Sequence, residues 1–169
     1  TGSGYQTAIL AELVDEVYSI ERIGPLQKQA RERLQRLGYR NVHLRLGDGS
    51  QGWPDAAPFD GMILTAAPGG VPDTLLRQLD EGGTMVAPLG YETQMLTCIT
   101  RRGDSFERRE IEPVRFVPVL GGVVRCPAAV TIRPVWISSP GAVSWERRIS
   151  YLGFPAEQWR SSPASMDAC

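Results

Sequence analysis

The N-terminal half of the chain alternates between two spacings of apolar positions, and this alternation predicts helices separated by strands. Apolar residues three or four positions apart predict helices over residues 5–13, 25–37 and 71–79. Short runs rich in β-branched and aromatic residues predict strands over residues 16–21, 41–46, 59–65 and 84–89. A tight turn is predicted before the last of these strands, at Glu81-Gly82-Gly83. The alternation is typical of an α/β domain with a mostly parallel, doubly wound sheet.

The pattern changes beyond residue 93, where alternating positions predict an antiparallel hairpin. Residues 94–101 and 106–119 form its two strands, and the turn Arg102-Gly103-Asp104-Ser105 joins them at the edge of the sheet. Beyond Gly121-Gly122 the periodicity weakens and prolines are frequent, which leaves residues 130–137 as the remaining candidate strand. We therefore predict a globular domain over residues 1–122 and an irregular C-terminal tail over residues 123–169.

Composition and charge argue against several classes of function. The 169 residues carry a formal net charge of -1, so no field gathers nucleic acid or anionic lipid over long range. Three widely spaced cysteines argue against a disulfide framework and against a structural zinc site. No apolar run approaches the roughly 20 residues that a membrane-spanning helix needs. We expect a cytoplasmic monomer that binds no metal, nucleic acid or membrane.

A glycine-rich turn, Gly2-Ser3-Gly4, opens the chain and precedes the first predicted helix. Glycine lets the backbone turn tightly and approach a ligand, and amides at the helix start are available to a carboxylate or another polar group. Such a turn normally follows a strand, and no strand precedes this one, so we expect a sheet that lacks its first strand. Thr7 stands where a dinucleotide-binding turn has its third glycine, which favours a mononucleoside such as S-adenosylmethionine over NAD.

Polar residues end the next three predicted strands in an order that suits one nucleoside-like ligand. Glu21 ends the first of these strands, where its carboxylate is placed to accept hydrogen bonds from two ribose hydroxyls. Asp48, between Gly47 and Gly49, ends the second and is placed to accept from the exocyclic amine of adenine. Thr65-Ala66-Ala67-Pro68 ends the third, beside the reactive end of such a ligand. Ligands of doubly wound sheets bind outside the carboxyl ends of the strands.

Side chains that serve as nucleophiles in other enzymes are poorly placed for that role here. His43, the single histidine, lies inside a predicted strand, and we interpret it as structural or solvent-facing. Cys98 also lies within a strand pattern, and we interpret it as a small buried side chain. Ser-His, Cys-His and histidine-based zinc chemistry are therefore not supported.

Several motifs, taken together and in this order, resemble the protein-L-isoaspartate O-methyltransferase family. They are Gly2-Ser3-Gly4-Tyr5-Gln6-Thr7, Val17-Tyr18-Ser19-Ile20-Glu21-Arg22, Gly47-Asp48-Gly49, Thr65-Ala66-Ala67-Pro68 and Val114-Arg115-Phe116-Val117-Pro118. The resemblance covers residues 1–122. It implies a Rossmann-like, S-adenosylmethionine-dependent methyltransferase fold and a role in protein repair, by methylation of the free carboxylate of L-isoaspartyl residues in damaged proteins.

The resemblance also implies a role for individual positions. The residues that it places on the cofactor are Gly2, Ser3, Gly4, Glu21, Arg22, Asp48, Gly49 and Thr65. Among them, the glycine turn holds the methionine part, Glu21 the ribose, and Asp48 with Gly49 the adenine. The residues that it places along the substrate are Ala66, Ala67, Pro68, Val117, Pro118 and Val119. A carboxylate is already ionised near neutral pH and a sulfonium is a strong electrophile, so alignment and desolvation suffice without a base or a metal.

The family carries a further region before the glycine turn, with a first strand and a serine-containing segment that contacts cofactor and substrate. This chain has no counterpart to it, so no catalytic residue is identified. Loss of a central strand is large against the ~5–15 kcal/mol that stabilises a domain, and we expect the chain to be inactive alone. Two other interpretations stay open: a non-catalytic binding module on a degraded methyltransferase fold, and a methyltransferase that acts on a small molecule or RNA.

Overall fold

The computed structural model describes residues 1–125, which form an α/β arrangement. The helices are α1 (Tyr5–Ala11), α2 (Gly24–Arg36) and α3 (Asp73–Leu76), and short 3₁₀ helices lie at Gly49–Gln51 and Pro54–Ala56. The strands are β1 (Val17–Glu21), β2 (Val42–Leu46), β3 (Phe59–Ile63), β4 (Leu79–Leu89), β5 (Gln94–Arg102) and β6 (Ser105–Val114). The predicted α/β class is confirmed. The division at residue 122 stays a prediction, and the candidate strand over residues 130–137 lies outside the described residues.

Helix α2 shows how the sequence places the N-terminal turn. Pro25 stands in its first turn, where a missing N–H leaves no helical hydrogen bond unmade. Ala30 and Leu34 are buried on its inner face. A Cβ added to Gly4 would lie 3.3 Å from the Ala30 Cβ, and Gly4 has a φ of 84°. Glycine at this position therefore lets the turn pack directly against α2.

The strands form two hydrogen-bonded groups rather than one continuous sheet. β1 and β2 pair in parallel, from Val17 with Val42 to Glu21 with Leu46. β3 pairs in parallel with β4, and the β4, β5 and β6 strands follow in antiparallel order, which confirms the predicted hairpin at the edge. Among residues 1–125 no strand pairs with the inner edge of β1 or of β3. The sheet is thus divided at the place where the sequence prediction leaves out a strand.

Aromatic side chains connect the two groups of strands at one end. The Tyr18 ring of β1 lies 5.6 Å from the Phe59 ring of β3 and 5.3 Å from the Trp53 ring, both in edge contacts. His43 lies within β2, as predicted, and its ring stacks on Tyr18 at 4.5 Å. We conclude that His43 belongs to this aromatic cluster, near the amino ends of the strands and away from their carboxyl ends.

Two predicted boundaries near the start of β4 were wrong, because pairing with β3 overrides a local turn signal. Phe59 pairs with Leu79, so β4 begins at Leu79 instead of residue 84. The glycines of the predicted turn lie inside the strand as an irregularity, and Gly82 takes a φ of 76° there. The helix predicted over residues 71–79 is accordingly reduced to α3, Asp73–Leu76.

The main hydrophobic core lies against the larger group of strands. Its buried side chains come from α3, β4 and β5, and they are Leu75, Leu76, Leu79, Met85, Ala87 and Ile99. Met85 and Ile99 are fully buried and are register partners across β4 and β5. Burial of one side chain of this size stabilises a fold by about 1.5–3 kcal/mol. This core therefore fixes the positions of the chain segments that follow β3 and β4.

Candidate functional site

The glycine turn lies against the end of β1, and the Glu21 carboxylate joins the two. Glu21 Oε2 accepts a hydrogen bond from the Gly2 N–H at 2.8 Å, and Oε1 accepts one from the Ile23 N–H at 2.9 Å. Beside this contact, the hydroxyl oxygens of Thr1 and Ser19 are 2.6 Å apart. The structure therefore brings together the first two predicted groups, the turn and the acidic residue that ends β1.

Arg33 holds the same turn from helix α2. Its guanidinium donates to the Ser3 carbonyl oxygen, and that of Arg31 donates to the Leu44 carbonyl oxygen at 2.8 Å. Sequence analysis missed Arg33, because it is one of several basic residues on a helix and nothing in the sequence distinguishes it from a solvated side chain. The turn is thus fixed on one side by Glu21 and on the other by Arg33.

Asp48 follows β2, and its two carboxylate oxygens have different partners. Oδ1 accepts from the Ser50 N–H at 2.9 Å and from the Ser50 hydroxyl at 2.7 Å, and Oδ2 accepts from the Gly122 N–H at 2.7 Å. The hydrogen bond from Gly122, followed by those from Ser50, lowers the pKa of the Asp48 carboxyl below its ordinary value. Asp48 is therefore a charged acceptor near neutral pH, and it follows β2, the strand that pairs with the one that Glu21 ends.

A single segment, residues 115–124, passes the carboxyl ends of the strands, and we call it the strap. The strap leaves the sheet where the Gln94 side chain hydrogen-bonds to both backbone groups of Phe116. The Gln94 amide accepts from the Phe116 N–H at 2.6 Å and donates to the Phe116 carbonyl at 3.0 Å. The predicted strand over residues 106–119 was therefore too long, and β6 ends at Val114. Sequence analysis assigned no role to Gln94 at this point.

The middle of the strap pairs with the segment that follows β3. The Ala67 N–H donates to the Val117 carbonyl at 2.7 Å, and the Val119 N–H donates to the Ala67 carbonyl at 2.9 Å. On the other side of this segment, the Pro68 carbonyl accepts from the Gly90 N–H at 3.1 Å. The structure thus places the predicted substrate residues of 66–68 next to those of 117–119.

The far end of the strap reaches the smaller group of strands. The Val124 N–H donates to the Arg22 carbonyl at 2.8 Å, and the Val124 carbonyl accepts from the Gly24 N–H at 2.9 Å. Arg22 Nη2 also lies 3.4 Å from the Gly121 carbonyl oxygen, to which it donates. The strap therefore joins the two groups of strands across the gap between β1 and β3.

Open space remains beside the predicted cofactor residues. No heavy atom lies within 4 Å of a Cβ built on Gly2 or on Gly49. Two carboxylates at the ends of adjacent parallel strands, with bare glycine backbone next to each, suit ribose hydroxyls and a purine amine. The residues present therefore fit the nucleoside part of S-adenosylmethionine. Thr65 follows β3, and within residues 1–125 its side chain makes no hydrogen bond to the other predicted residues.

The described residues offer no site for a metal ion. Among them, no group of three or more His, Cys, Asp and Glu side chains is placed to hold one. Cys98 is half-buried in β5 with a free thiol, whereas the sequence predicted a small buried side chain in a strand.

Comparison with known sequences gives matches over the same region. The family model described as "Protein-L-isoaspartate(D-aspartate) O-methyltransferase" matches residues 1–124. Protein-L-isoaspartate O-methyltransferase 1 of Marinobacter nauticus is 58% identical over 125 residues, which are 74% of this chain and 57% of that protein. The protein-L-isoaspartate O-methyltransferase of Halorhodospira halophila is 56% identical over 125 residues, 73% of this chain and 57% of that protein. The chain spans little more than half the length of these relatives.

Comparison with solved structures supports the fold. A protein-L-isoaspartate O-methyltransferase superposes with a TM-score of 0.68 at 27% identity, over 72% of this chain and 40% of that one. A putative protein-L-isoaspartate O-methyltransferase of Plasmodium falciparum, solved with S-adenosyl-L-homocysteine, superposes with a TM-score of 0.60 at 24% identity, over 70% of this chain and 62% of that one. These likenesses confirm the Rossmann-like methyltransferase fold. With the family match over residues 1–124, they establish that the chain belongs to the protein-L-isoaspartate(D-aspartate) O-methyltransferase family.

Proposed function

We propose that this chain carries the cofactor half and part of the substrate groove of an enzyme that methylates the free carboxylate of L-isoaspartyl residues in damaged proteins. One observation carries the proposal. Three predicted residues at or just after successive parallel strands, Glu21, Asp48 and Ala67, connect to one chain segment, the strap. Asp48 and Ala67 hydrogen-bond to the strap directly, and Glu21 is joined to it through its neighbour Arg22. The names of the similar proteins from Marinobacter and Halorhodospira support the same reaction.

S-adenosylmethionine is the cofactor in this proposal, and the residues present divide its binding between them. Glu21 takes the ribose hydroxyls, and Asp48 with Gly49 takes the adenine. The glycine turn presents its backbone to the methionine part. Arg22 acts from the side by holding the Gly121 carbonyl of the strap. When bound, the cofactor would supply an electrophilic methyl group on a positively charged sulfur, and the bond from this methyl carbon to a carboxylate oxygen would form as the carbon–sulfur bond breaks and S-adenosylhomocysteine leaves.

The substrate peptide, in this proposal, lies along the strap at residues 117–119. The Val117 carbonyl and the Val119 N–H already form hydrogen bonds with Ala67, so the edge of the strap that faces Ala67 is not available to a peptide. Backbone groups of alternate residues point in opposite directions along an extended chain, which leaves the Pro118 carbonyl and the Leu120 N–H on the other edge. An extended peptide that pairs with an open edge uses such groups to fix its main chain.

Catalysis then rests on alignment, with no proton to remove. The peptide edge at Pro118 and the cofactor residues at Asp48 are held by one segment whose two ends are anchored, by Gln94 at Phe116 and by Gly24 at Val124. Fixing two reactants in one geometry provides most of the rate gain for a reaction of this kind. The part of each relative that this chain does not span contributes the remaining groups.

Setting and partners are part of the same proposal. Damaged proteins and peptides with isoaspartyl residues are the partners, and the protein acts as a cytoplasmic monomer without nucleic acid. The near-zero net charge and the scarcity of cysteines support this setting. In the described part of the chain, no helix is both long and apolar enough to cross a membrane.

The first experiment is a calorimetric titration of the chain with S-adenosylhomocysteine. We expect saturable binding that is lost in the Glu21→Ala, Asp48→Ala double variant. Asp55→Ala is the matched control, because Asp55 is an acidic residue of the 3₁₀ helix Pro54–Ala56 with an 87% exposed side chain. Circular dichroism establishes that each variant is folded.

Transfer of a labelled methyl group to an isoaspartyl peptide, against the same peptide with a normal aspartyl residue, tests the reaction itself. Absence of S-adenosylhomocysteine binding by a folded wild-type chain would refute the cofactor assignment. Binding without transfer would favour the non-catalytic module, and transfer to RNA instead of the isoaspartyl peptide would overturn the proposed substrate.

A further inference from the structure

The segment that follows β2, residues 48–53, carries the proposed adenine contacts Asp48 and Gly49, and we call it the β2 loop. Within residues 1–125 this loop joins neither group of strands. Its backbone-to-backbone hydrogen bonds are local and join residues three apart. At its far end, the Trp53 ring contacts the Tyr18 ring. Between its two ends, the position of the loop therefore depends on side chains from other elements.

Gln78 is a buried amide side chain that the proposed reaction does not use. It follows α3 and is 7% exposed, and its neighbours in sequence, Leu76 and Leu79, belong to the core. Its backbone carbonyl accepts from the Phe59 N–H at 2.8 Å, at the start of β3. Gln78 is thus fixed to the larger group of strands. Because a polar side chain is costly to bury unless its hydrogen bonds are satisfied, its partners show what it holds.

The Gln78 amide binds two backbone groups of the β2 loop and one of α3. Oε1 accepts from the Trp53 N–H at 2.7 Å, and Nε2 donates to the carbonyls of Gln51 at 3.0 Å and of Thr74 at 2.9 Å. One partner is a donor and two are acceptors, so a single orientation of the amide satisfies all three. Gly52 has a φ of 63°, and a Cβ added there would overlap this amide. The loop therefore lies directly on Gln78.

Thr74, four residues before Gln78, holds a second point of the β2 loop. Its hydroxyl donates to the Ser50 carbonyl at 3.0 Å. Ser50 in turn donates to Asp48 Oδ1, from its N–H at 2.9 Å and from its hydroxyl at 2.7 Å. These two bonds, with the one from the Gly122 N–H to Oδ2, fix the orientation of the carboxylate. A continuous series of contacts therefore runs from α3 through Ser50 to Asp48.

We propose that Gln78 and Thr74 are positioning residues for recognition of adenine, because they hold the β2 loop, and with it the Asp48 carboxylate, on α3. This inference rests on the proposed function and deepens it by naming the residues that fix the adenine site. Neither residue takes part in methyl transfer. A hydrogen bond depends on the direction of its acceptor, so a loop that shifts on α3 recognises the exocyclic amine less well.

The test compares two ligands of the full chain by calorimetry, S-adenosylhomocysteine and S-inosylhomocysteine. The second has a carbonyl in place of the exocyclic amine, so the group that faces Asp48 becomes an acceptor instead of a donor. We expect wild type to bind the adenine ligand about tenfold or more tightly, as for a hydrogen bond to a charged group. Gln78→Met should lower this ratio at least about threefold. A loss of overall stability affects both ligands alike and leaves the ratio unchanged.

A second pair of variants keeps the test independent of how well Gln78→Met folds. Thr74→Val removes the hydroxyl at an exposed position and keeps the shape of the side chain, and we expect it to lower the ratio as Gln78→Met does. Thr74→Ser keeps the hydroxyl and should keep the ratio of wild type. Ile99→Val removes a methyl group from a fully buried side chain, so it is the control for lost stability and should leave the ratio unchanged.

The outcomes separate this inference from the proposed function. A ratio equal to that of wild type in both Gln78→Met and Thr74→Val overturns the inference alone, and so does an equal fall in Ile99→Val. A lower ratio in one variant only supports the role of that residue and overturns the role of the other. A folded wild-type chain that binds both ligands equally overturns the assignment of Asp48 to adenine. One that binds neither overturns the proposed cofactor site, and the inference falls with either.

Discussion

Replacement of Asp48 by Asn should release one end of the strap without unfolding the domain. The Asp48 carboxylate accepts hydrogen bonds on both oxygens, from Ser50 on Oδ1 and from the Gly122 N–H on Oδ2 at 2.7 Å. An asparagine of the same shape has one acceptor oxygen and one NH₂ group. The amide oxygen keeps two hydrogen bonds if it takes the place of Oδ1, where the Ser50 N–H and hydroxyl both donate, and this orientation turns the NH₂ group toward the Gly122 N–H, which loses its acceptor.

The magnitude follows from the kind of bond that is lost. A hydrogen bond to a charged acceptor is worth about 1.5–3 kcal/mol. Asp48 is half-buried but its bond to Gly122 is exposed, so water replaces part of the loss and we take the lower end, about 1.5 kcal/mol. This corresponds to a change of about tenfold in the opening equilibrium of the strap at Gly122. The bonds of Val124 to Arg22 and Gly24 are untouched, and they limit the opening to residues near 122.

Amide hydrogen exchange followed by NMR measures this opening directly. We expect the protection factor of the Gly122 amide to fall about tenfold in Asp48→Asn, while that of the Gly24 amide, which bonds to Val124, changes little. Ser50→Ala is the matched control, because it removes a hydroxyl from Oδ1 and leaves the charge and the Gly122 bond in place. An unchanged Gly122 protection factor in Asp48→Asn would refute this account of the strap.

The same contact carries a pH dependence with a defined sign. The folded-state pKa of Asp48 is lowered, chiefly by the Gly122 hydrogen bond, so the ionised form contributes stability that is fully present above the unfolded-state pKa. That contribution is lost as the pH falls through the lowered folded-state value. Protection of Gly122 should therefore be constant from neutral to mildly acidic pH and fall only in stronger acid, whereas Asp48→Asn should show no such step.

Three further substitutions test other parts of the site. Glu21→Gln removes the charged carboxylate that accepts hydrogen bonds from the Gly2 and Ile23 amides. Calorimetry should show at least tenfold weaker S-adenosylhomocysteine binding, and urea denaturation should show a free energy of unfolding lower by about 1.5–3 kcal/mol. Intact binding would contradict the assignment of Glu21 to the cofactor. Gln94→Leu leaves both backbone groups of Phe116 unpaired, so urea denaturation should show a free energy of unfolding lower by about 1–3 kcal/mol, and an unchanged value would contradict the anchoring role of Gln94. Gln78→Met removes the acceptor of the Trp53 N–H and the donor to two backbone carbonyls. We expect a loss of about 2 kcal/mol in the free energy of unfolding. A urea midpoint equal to that of wild type would show that these bonds add no stability.

The elements were predictable from local patterns, and their limits were not. Apolar spacing identified the helices and strands because each one buries a face, as Ala30 and Leu34 do on α2. Gly82 and Gly83 indicated a turn, yet the chain there continues as a strand because Phe59 pairs with Leu79. A strand partner twenty residues away leaves no mark in the local sequence, so such boundaries need the structure.

The candidate site was likewise predictable only in part from the sequence. Glu21 and Asp48 were predicted because ligands of this fold bind at the carboxyl ends of strands, and an acidic residue at a strand end is visible in the sequence. The partner of Asp48 was not predicted, since it is the backbone N–H of Gly122, 74 residues away, and a backbone donor has no residue type of its own. Arg33 was missed for a related reason, because its partner is a backbone carbonyl of Ser3.

The long sequence separation of the strap contacts sets an order for folding. The contacts of β5 with β6 join neighbouring segments, whereas the strap bonds Asp48 to Gly122 across 74 residues and Arg22 to Gly121 across 99. Loops of that length close at an entropic cost that only contacts made after closure offset, so local hairpins form early and such contacts form late. The two groups of strands that carry the ligand site therefore form before the strap joins them. Substitutions at the strap should accelerate unfolding and leave the folding rate almost unchanged.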